Sequence, residues 1–342
     1  MRKMIILTEG LTNIQNAKTA INLIYYKPEE VLAIFDRGKK GESVKELLGI
    51  DMTVPIIDDL AAFPDANTLV LGVATPGGGY PDEWRRIILE AITRGMDIVS
   101  GLHNFLTDDK EFTEAAAKHN VKLTDIRKNN FRKVFKGTGF NDSVLRIQTV
   151  GNDCSNGKMI TSYEIALELK RMGRDAKFVA TGQTGILLEG DGIPIDAVVA
   201  DFINGAAEEM VLQNQHHEIL VIEGQASIVH PRYSSVTLGL LHGSMPHGLI
   251  MCYEMGRVNT KNLEHVKIPP MKTIIELYES MANVLHPCKV IGIAINGRKF
   301  TKAEVDLERE RVKAEFNLPA CDVMKHGAAE LADAVIQLKI NN

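Results

Sequence analysis

No apolar stretch in this sequence approaches ~20 residues, the length a membrane-spanning helix needs, so no membrane partner is expected. The N-terminal run in MRKMIILTEG reaches Thr8 and Glu9 too early for a signal peptide. The four cysteines, Cys154, Cys252, Cys288 and Cys321, are widely spaced and form no CxxC pair. That argues against a disulfide framework and a structural zinc site, and for a reducing, cytoplasmic setting. There is no long basic run, and the net charge is −5, so nucleic acid is not favoured as a partner. The dinucleotide fingerprint GxGxxG is missing too. The first strand–helix turn, LTEGLTNIQNAKTA, holds a single glycine, Gly10, which argues against NAD bound in the standard way. No internal repeat and no low-complexity tract is visible.

What is present is the profile of a soluble globular protein: 342 residues, 45% hydrophobic and 24% charged, enough for two ordinary domains. From 1 to about 125, short apolar runs alternate with helical stretches. The runs 4–8, 31–35, 54–57, 68–74 and 97–100 read as buried parallel strands. PDEWRRIILEAITRG (81–95) is an amphipathic helix closed by Gly95. This alternation predicts a doubly wound α/β sheet over 1–125. Residues 126–145 are polar and rich in Lys and Arg, and read as a linker or, alternatively, as a basic flap that meets an anionic ligand. A second parallel α/β domain follows over 146–342. Its strands are expected at 145–150, 176–180, 196–200, 218–224, 248–253 and 289–296. Its helices are expected near 158–172, 202–213, 234–242, 272–284, 301–314 and 326–338.

The most informative stretch is GNDCSNGKMITSYEIALELKRMG, 151–173. A strand ends at Gly151, a small polar run follows (Asn152, Asp153, Cys154, Ser155, Asn156, Gly157), and Lys158 opens an amphipathic helix. Backbone N–H groups of such a turn converge on an anion, and the helix dipole adds to them. Lys158 brings a full positive charge, and Gly157 lets the backbone approach a phosphate. The spacing is Gly, five residues, Gly-Lys, one residue longer than the commonest phosphate loop, and Met159 stands where a magnesium-binding Ser or Thr is usual. Thr161 and Ser162 follow too late on the helix, since successive residues turn by ~100°. Without that hydroxyl, magnesium loses a ligand. The loop is therefore expected to hold a pyrophosphate that is not cut, and coenzyme A contains one.

The longer loop resembles the GTDTxxGKT loop of dethiobiotin synthetase and related P-loop enzymes. Over nearly the whole chain, the sequence resembles a family long catalogued without a function, with a Rossmann-like N-terminal domain and a P-loop NTPase-like C-terminal domain. The resemblance rests on GNDCSNGKMITSYEIALEL (151–169), FVATGQTGIL (178–187), DAVVADFINGAAEEMV (196–211) and ILVIEGQASIVHPRYSSVTLGLLHG (219–243). The family loop commonly reads GTDCxxGKM, which makes Met159 typical and Asn152 a mild departure. Members of the family act as D-glutamate N-acetyltransferases using acetyl-CoA. The resemblance therefore implies acetyl-CoA as co-substrate and D-glutamate as acceptor.

The other blocks offer chemistry of their own. Glu223 ends a strand where P-loop enzymes carry an acidic residue. It is a candidate base for an incoming amine, or an anchor for Lys158 or a loop backbone. Thr181, Gly182, Gln183, Thr184 and Gly185 lie just past a strand end, where open α/β sheets bind ligands, although a plain turn has the same composition. Asp196, Asp201, Asn204 and Gly205 surround another expected strand end, and Asp201 could be only a helix cap. Within GQASIVHPRYSS, His230 is a candidate proton acceptor, Arg232 a clamp for a substrate carboxylate, and Gln225, Ser227, Tyr233 and Ser234 are polar contacts. His242 and His247 flank a Gly-Ser-Met-Pro turn, but no Cys or HExxH pattern accompanies them, and no metal is expected. Cys154 is a conceivable nucleophile with no histidine near it in sequence. GVATPGGGYPDEW (72–84) and DRGKKGE (36–42) are further candidates for holding coenzyme A or substrate, or mobile surface loops.

The expected catalytic set is thus Glu223, His230 and Lys158. Residues 151–159 hold the cofactor phosphates, and Gln183, Thr184, Gln225, Arg232, Tyr233 and Ser234 contact the substrate. The rivals are an ATP- and magnesium-dependent ligase or kinase, with Asp153 and Glu223 holding the metal, and a nucleotide sensor without chemistry. A homo-oligomer, perhaps a dimer, is the base-rate expectation for such an enzyme.

Overall fold

The computed structural model describes residues 2–74 and 78–341. They form two compact units. One comprises the residues up to Asn129 together with Ile186–Gly190, and the other comprises Asn130–Gly185 and the residues from Asp191 onward.

The first unit is built on six parallel strands: β1 (Met4–Leu7), β2 (Val31–Phe35), β3 (Ile56–Ile57), β4 (Thr68–Leu71), β5 (Asp97–Ser100) and β6 (Leu123–Asp125). Their order is β3-β2-β1-β4-β5-β6, the doubly wound arrangement in which strand order reverses beside β1. β1 and β4 are buried along their whole length, which is why they read as continuous apolar runs. β3 is shorter than the expected 54–57 because Pro55 has no N–H to give to a ladder. The helix Trp84–Thr93 packs Trp84, Ile87, Ile88, Ala91 and Ile92 into the core under β1 and β4. β6 was not foreseen. Its Asp125 carboxylate accepts from the Leu106 and Thr107 amides, each at 2.9 Å, and closes the preceding loop. In the run 72–84, Thr75, Pro76 and Gly77 lie outside the described residues.

The second unit carries β7 (Leu145–Gly151), β8 (Ala176–Val179), β9 (Ile219–Ile222), β10 (Gly248–Glu254), β11 (Asn259–Thr260), β12 (Leu263–Lys267), β13 (Lys289–Asn296) and β14 (Ala320–Cys321). Six of these form a parallel sheet in the order β14-β13-β10-β7-β9-β8, with β7 buried throughout between β10 and β9. β11 and β12 form a small antiparallel hairpin that the sequence reading did not anticipate. The expected strand at 196–200 is absent: the segment forms 3₁₀ turns at Ile195–Ala197 and Ala200–Phe202. Only Ile195 and Val198 of this run are buried in the core, and a spacing of three suits a 3₁₀ turn, not a strand of period two. Residues 130–144 pack on the helix Ile203–Asn214. The Glu208 carboxylate accepts from the Lys136 and Gly137 amides (3.0 and 2.7 Å), and Lys133 pairs with Glu209. Gly205 has no side chain because a Cβ there would meet the Lys133 carbonyl at 2.1 Å.

Candidate active site at the phosphate loop

The loop leaves β7, an inner strand of its sheet, and enters the helix Lys158–Arg171 directly after Gly157. Two residues take left-handed backbone, Ser155 (φ 54°) and Gly157 (φ 105°), and turn the chain back on itself. Gly151 must be glycine, since a Cβ there would lie 2.3 Å from Asn156 Nδ2. That amide nitrogen instead donates to the Cys252 carbonyl at 2.7 Å, tying the loop to β10. Tyr278, fully buried, donates its hydroxyl to the Gly151 carbonyl (2.9 Å) and accepts from the Ile228 amide (3.0 Å), which joins the loop to the segment after β9.

Lys158 curls over the loop. Its Nζ donates to the Asp153 carbonyl (2.8 Å) and to Asn156 Oδ1 (3.0 Å). Burial pulls its pKa down to about 8, so most of its charge persists at neutral pH. Asp153 is fully buried. Its Oδ1 accepts from the Cys154 amide (2.7 Å), while its Oδ2 accepts from Arg257 (2.8 Å) and from the Lys261 amide (2.9 Å). Arg257 also donates to the Cys154 carbonyl and pairs with Glu254. Arg257 and Lys261 were missed from sequence. The available signal was the polar run GRVNTKN one residue after the largely apolar strand GLIMCYE.

Glu223 follows β9 and is buried. Its Oε2 accepts from the Thr181 and Gly182 amides at 2.9 and 3.1 Å, so the partner is the 181–182 backbone, while Lys158 turns to the loop. Gly185 leaves room for this carboxylate, since a Cβ there would lie 2.4 Å from Oε2. Burial raises the Glu223 carboxyl to about 7, against the two backbone hydrogen bonds that favour its ionised form. Gln225 Nε2 donates to Thr181 Oγ1 at 2.8 Å, and Gly224 donates its amide to Thr149 on β7. The expected residues Glu223, Gln225 and Thr181 are therefore one connected cluster, with Gln183 buried at the start of the following helix and Thr184 beside it.

His230 is sealed from solvent. Its Nδ1 accepts from the Arg232 amide (3.2 Å), and its Nε2 has no hydrogen-bond partner and lies 3.6 Å from Asp153 Oδ1. Its ring packs on Tyr233, 4.7 Å between centroids. Arg232 and Tyr233 are exposed, and Ser234 starts the next helix. The fold also brings Cys154 to His230. Sγ, a His230 ring nitrogen and an Asp153 oxygen lie within 4.8 Å of one another, a grouping with the donor atoms of a metal site that no sequence spacing revealed. Arg257 and Lys158 already crowd this corner with positive charge, which opposes a cation there. Burial raises the Cys154 thiol, aided by the Asp153 charge, so it is held as a neutral thiol.

A phosphate loop leading off an inner strand of a parallel sheet, with a separate six-stranded Rossmann-like unit before it, defines a two-domain α/β P-loop protein. The chain belongs to the DUF1611 family: its P-loop domain, described as a domain of unknown function, matches residues 133–332, and its Rossmann-like N-terminal domain matches residues 37–129. A D-glutamate N-acetyltransferase of a Pseudoalteromonas species is 41% identical over 268 residues, covering 78% of this chain and 80% of that one. A D-glutamate N-acetyltransferase of Tritonibacter scottomollicae is 34% identical over 321 residues, covering 93% and 94%. The crystal structure of a DUF1611 family protein from Anabaena variabilis superposes with a TM-score of 0.92 at 36% identity, covering 98% of this chain and 100% of that one. Among the described residues, no helix is long and apolar enough to cross a membrane.

Proposed function

We propose that this protein transfers the acetyl group of acetyl-CoA to the amine of D-glutamate, with the phosphate loop holding the coenzyme A phosphates. The observation that carries this reading is the state of Asp153. The loop carboxylate that a nucleotide-cleaving enzyme would turn toward magnesium is buried and paired with Arg257 and the Lys261 amide. With Met159 in place of a hydroxyl, the loop has the charge to bind a phosphate diester and lacks the oxygen ligands that cleavage uses. The names of the two acetyltransferase relatives supply the acceptor and its handedness.

Glu223 is the better of the two candidate bases. A carboxyl with a pKa near 7 is matched to neutral pH, and both backbone donors go to Oε2, which leaves Oε1 to take the proton. His230, sealed against Asp153, is better suited to holding the loop. The ammonium gives a proton to Glu223. The freed amine attacks the thioester carbonyl, the C–N bond forms and the C–S bond breaks. As the coenzyme A thiolate leaves, the nitrogen gives up its second proton, which passes through water to the thiolate. Arg232 and Tyr233, exposed beside this segment, are the side chains offered to the glutamate carboxylates.

The test is thiol release from acetyl-CoA with D-glutamate and L-glutamate in parallel, each with and without a chelator. Release with D-glutamate alone, unchanged by chelator, is expected. No release with either amino acid would sink the proposal, and chelator-sensitive phosphate release from ATP would favour a ligase or kinase instead.

A further inference from the structure

The rim of the phosphate loop carries more cations than its carboxylates need. β10 and β13 pair in parallel from Gly248–Lys289 to Glu254–Asn296, so the residues just past both strands emerge side by side. Asn296 lies against the loop: a Cβ on Gly157 would stand 3.5 Å from its Nδ2. Glu254, at the end of β10, has a side chain only 3% exposed and gathers three cations, namely Arg257, Arg298 at 3.0 Å and Lys299 at 2.6 Å. Burial alone would raise this carboxyl, yet the Lys299 hydrogen bond and the charges of Arg257 and Arg298 hold it below the usual range, so it is ionised. Around the loop, Arg257 is thus on the Asp153 carboxylate, Arg298 and Lys299 are on that of Glu254, and the Lys158 ammonium lies on the Asp153 carbonyl.

The cations are not equivalent. Arg257 is largely buried and links Glu254 to Asp153, whereas the side chains of Arg298 and Lys299 are 38% and 65% exposed. Arg257 is shared between two carboxylates, so these three cations exceed them by one. Arg298 and Lys299, steadied by Glu254 with their heads at the solvent edge, set a local positive field beside the anion cradle. The nucleotide end of coenzyme A differs from ADP on its ribose by one group, a phosphate monoester, which carries about −1.5 to −2 charge at neutral pH. It lies one sugar away from the pyrophosphate.

We propose that Arg298 and Lys299, held on Glu254 at the rim of the loop, bind the ribose 3′-phosphate of coenzyme A and so distinguish it from an adenine nucleotide. This inference rests on the acetyl-CoA reading above and extends it to a group that ATP lacks.

The experiment compares acetyl-CoA with acetyl-dephospho-CoA, which lacks only that phosphate, in the D-glutamate-dependent thiol-release assay. In the wild type, KM for the dephospho compound should be about tenfold higher, the factor that ~1.4 kcal/mol of binding gives. In an Arg298→Ala, Lys299→Ala double variant, KM for acetyl-CoA should rise by the same factor, and the ratio should fall toward one. A second measurement needs no variant: adenosine 3′,5′-bisphosphate should inhibit the wild type more strongly than AMP. Equal KM values in the wild type, a ratio that survives the double substitution, or equal inhibition by the two nucleotides would each overturn the assignment and leave the transferase reading standing. No thiol release from either compound would remove that reading, and this one with it.

Discussion

The two units each send a turn off a buried inner strand, β1 in one and β7 in the other, and the two turns are electrically opposite. After β1, Gly10 (φ 73°) donates its amide to Asp36, which also accepts from Thr12 and from the Gly38 amide at 3.1 Å. Asp36 is buried, so the turn is closed around a negative charge, beside a cavity of about 300 Å³ lined in part by Gly10, Thr12 and Asp36. The helix that follows starts only at Lys18. After β7 the helix starts at once, with Lys158 folded over the turn and Arg257 holding the one buried carboxylate to the side. The same position in a parallel sheet thus yields a turn that repels an anion and a turn that invites one. Both turns hold a buried carboxylate; the cations Lys158 and Arg257 beside the second one decide, not the topology.

That contrast can be sharpened by substitution. The largest effect is expected at Glu223, which is outside the loop but is the proposed base. Glu223→Gln keeps the shape and an acceptor for the 181–182 amides and removes the proton-taking oxygen, so kcat/KM should fall by roughly 10³, within the range general-base catalysis supplies. The pH profile checks the cause. Because burial raises this carboxyl to about 7, the ionised base becomes populated as pH rises through 7. Wild-type activity should climb across that range and level off above it, and the variant should lose that limb. Next comes Lys158→Ala, which removes the buried charge over the loop. It should raise KM for acetyl-CoA about 30-fold to 150-fold, from the ~2–3 kcal/mol that a charged hydrogen bond to phosphate provides. The smallest effect belongs to the other turn. Asp36→Asn should cost about 1 kcal/mol in urea unfolding, since an amide oxygen replaces a carboxylate that accepts three hydrogen bonds, with KM for acetyl-CoA near the wild-type value.

Most of this arrangement was written in local pattern. The parallel strands β1, β2, β10 and β13 are near-continuous apolar runs whose bounds could be read nearly to the residue, because both faces of such a sheet are covered, and β5 and β7 were as legible although Asp97 and Ser100 bound one and Arg146, Gln148 and Thr149 interrupt the other. The phosphate loop was legible for the same reason: strand, glycine turn, lysine and helix are contiguous. The run DAVVA misled because four apolar residues suit a 3₁₀ turn as well as a strand, and only tertiary contact shows that, of these, Val198 alone joins Ile195 in the core. What could not be read is what the sheet assembles from distant segments. Arg257 reaches Asp153 because β10 lies beside β7, and His230 meets Cys154 because Tyr278 draws the segment after β9 against the loop. Strand order is not encoded in any one stretch, so these partners carried no local signal beyond being polar residues after strand ends.

The most direct test of the central claim is a calorimetric titration of the wild-type protein with coenzyme A and, separately, with ATP, both in the presence of a chelator. The account predicts that coenzyme A binds without magnesium and that ATP binds more weakly and is not hydrolysed when magnesium is restored. Binding of ATP only with magnesium, followed by its hydrolysis, with no detectable binding of coenzyme A, would contradict it.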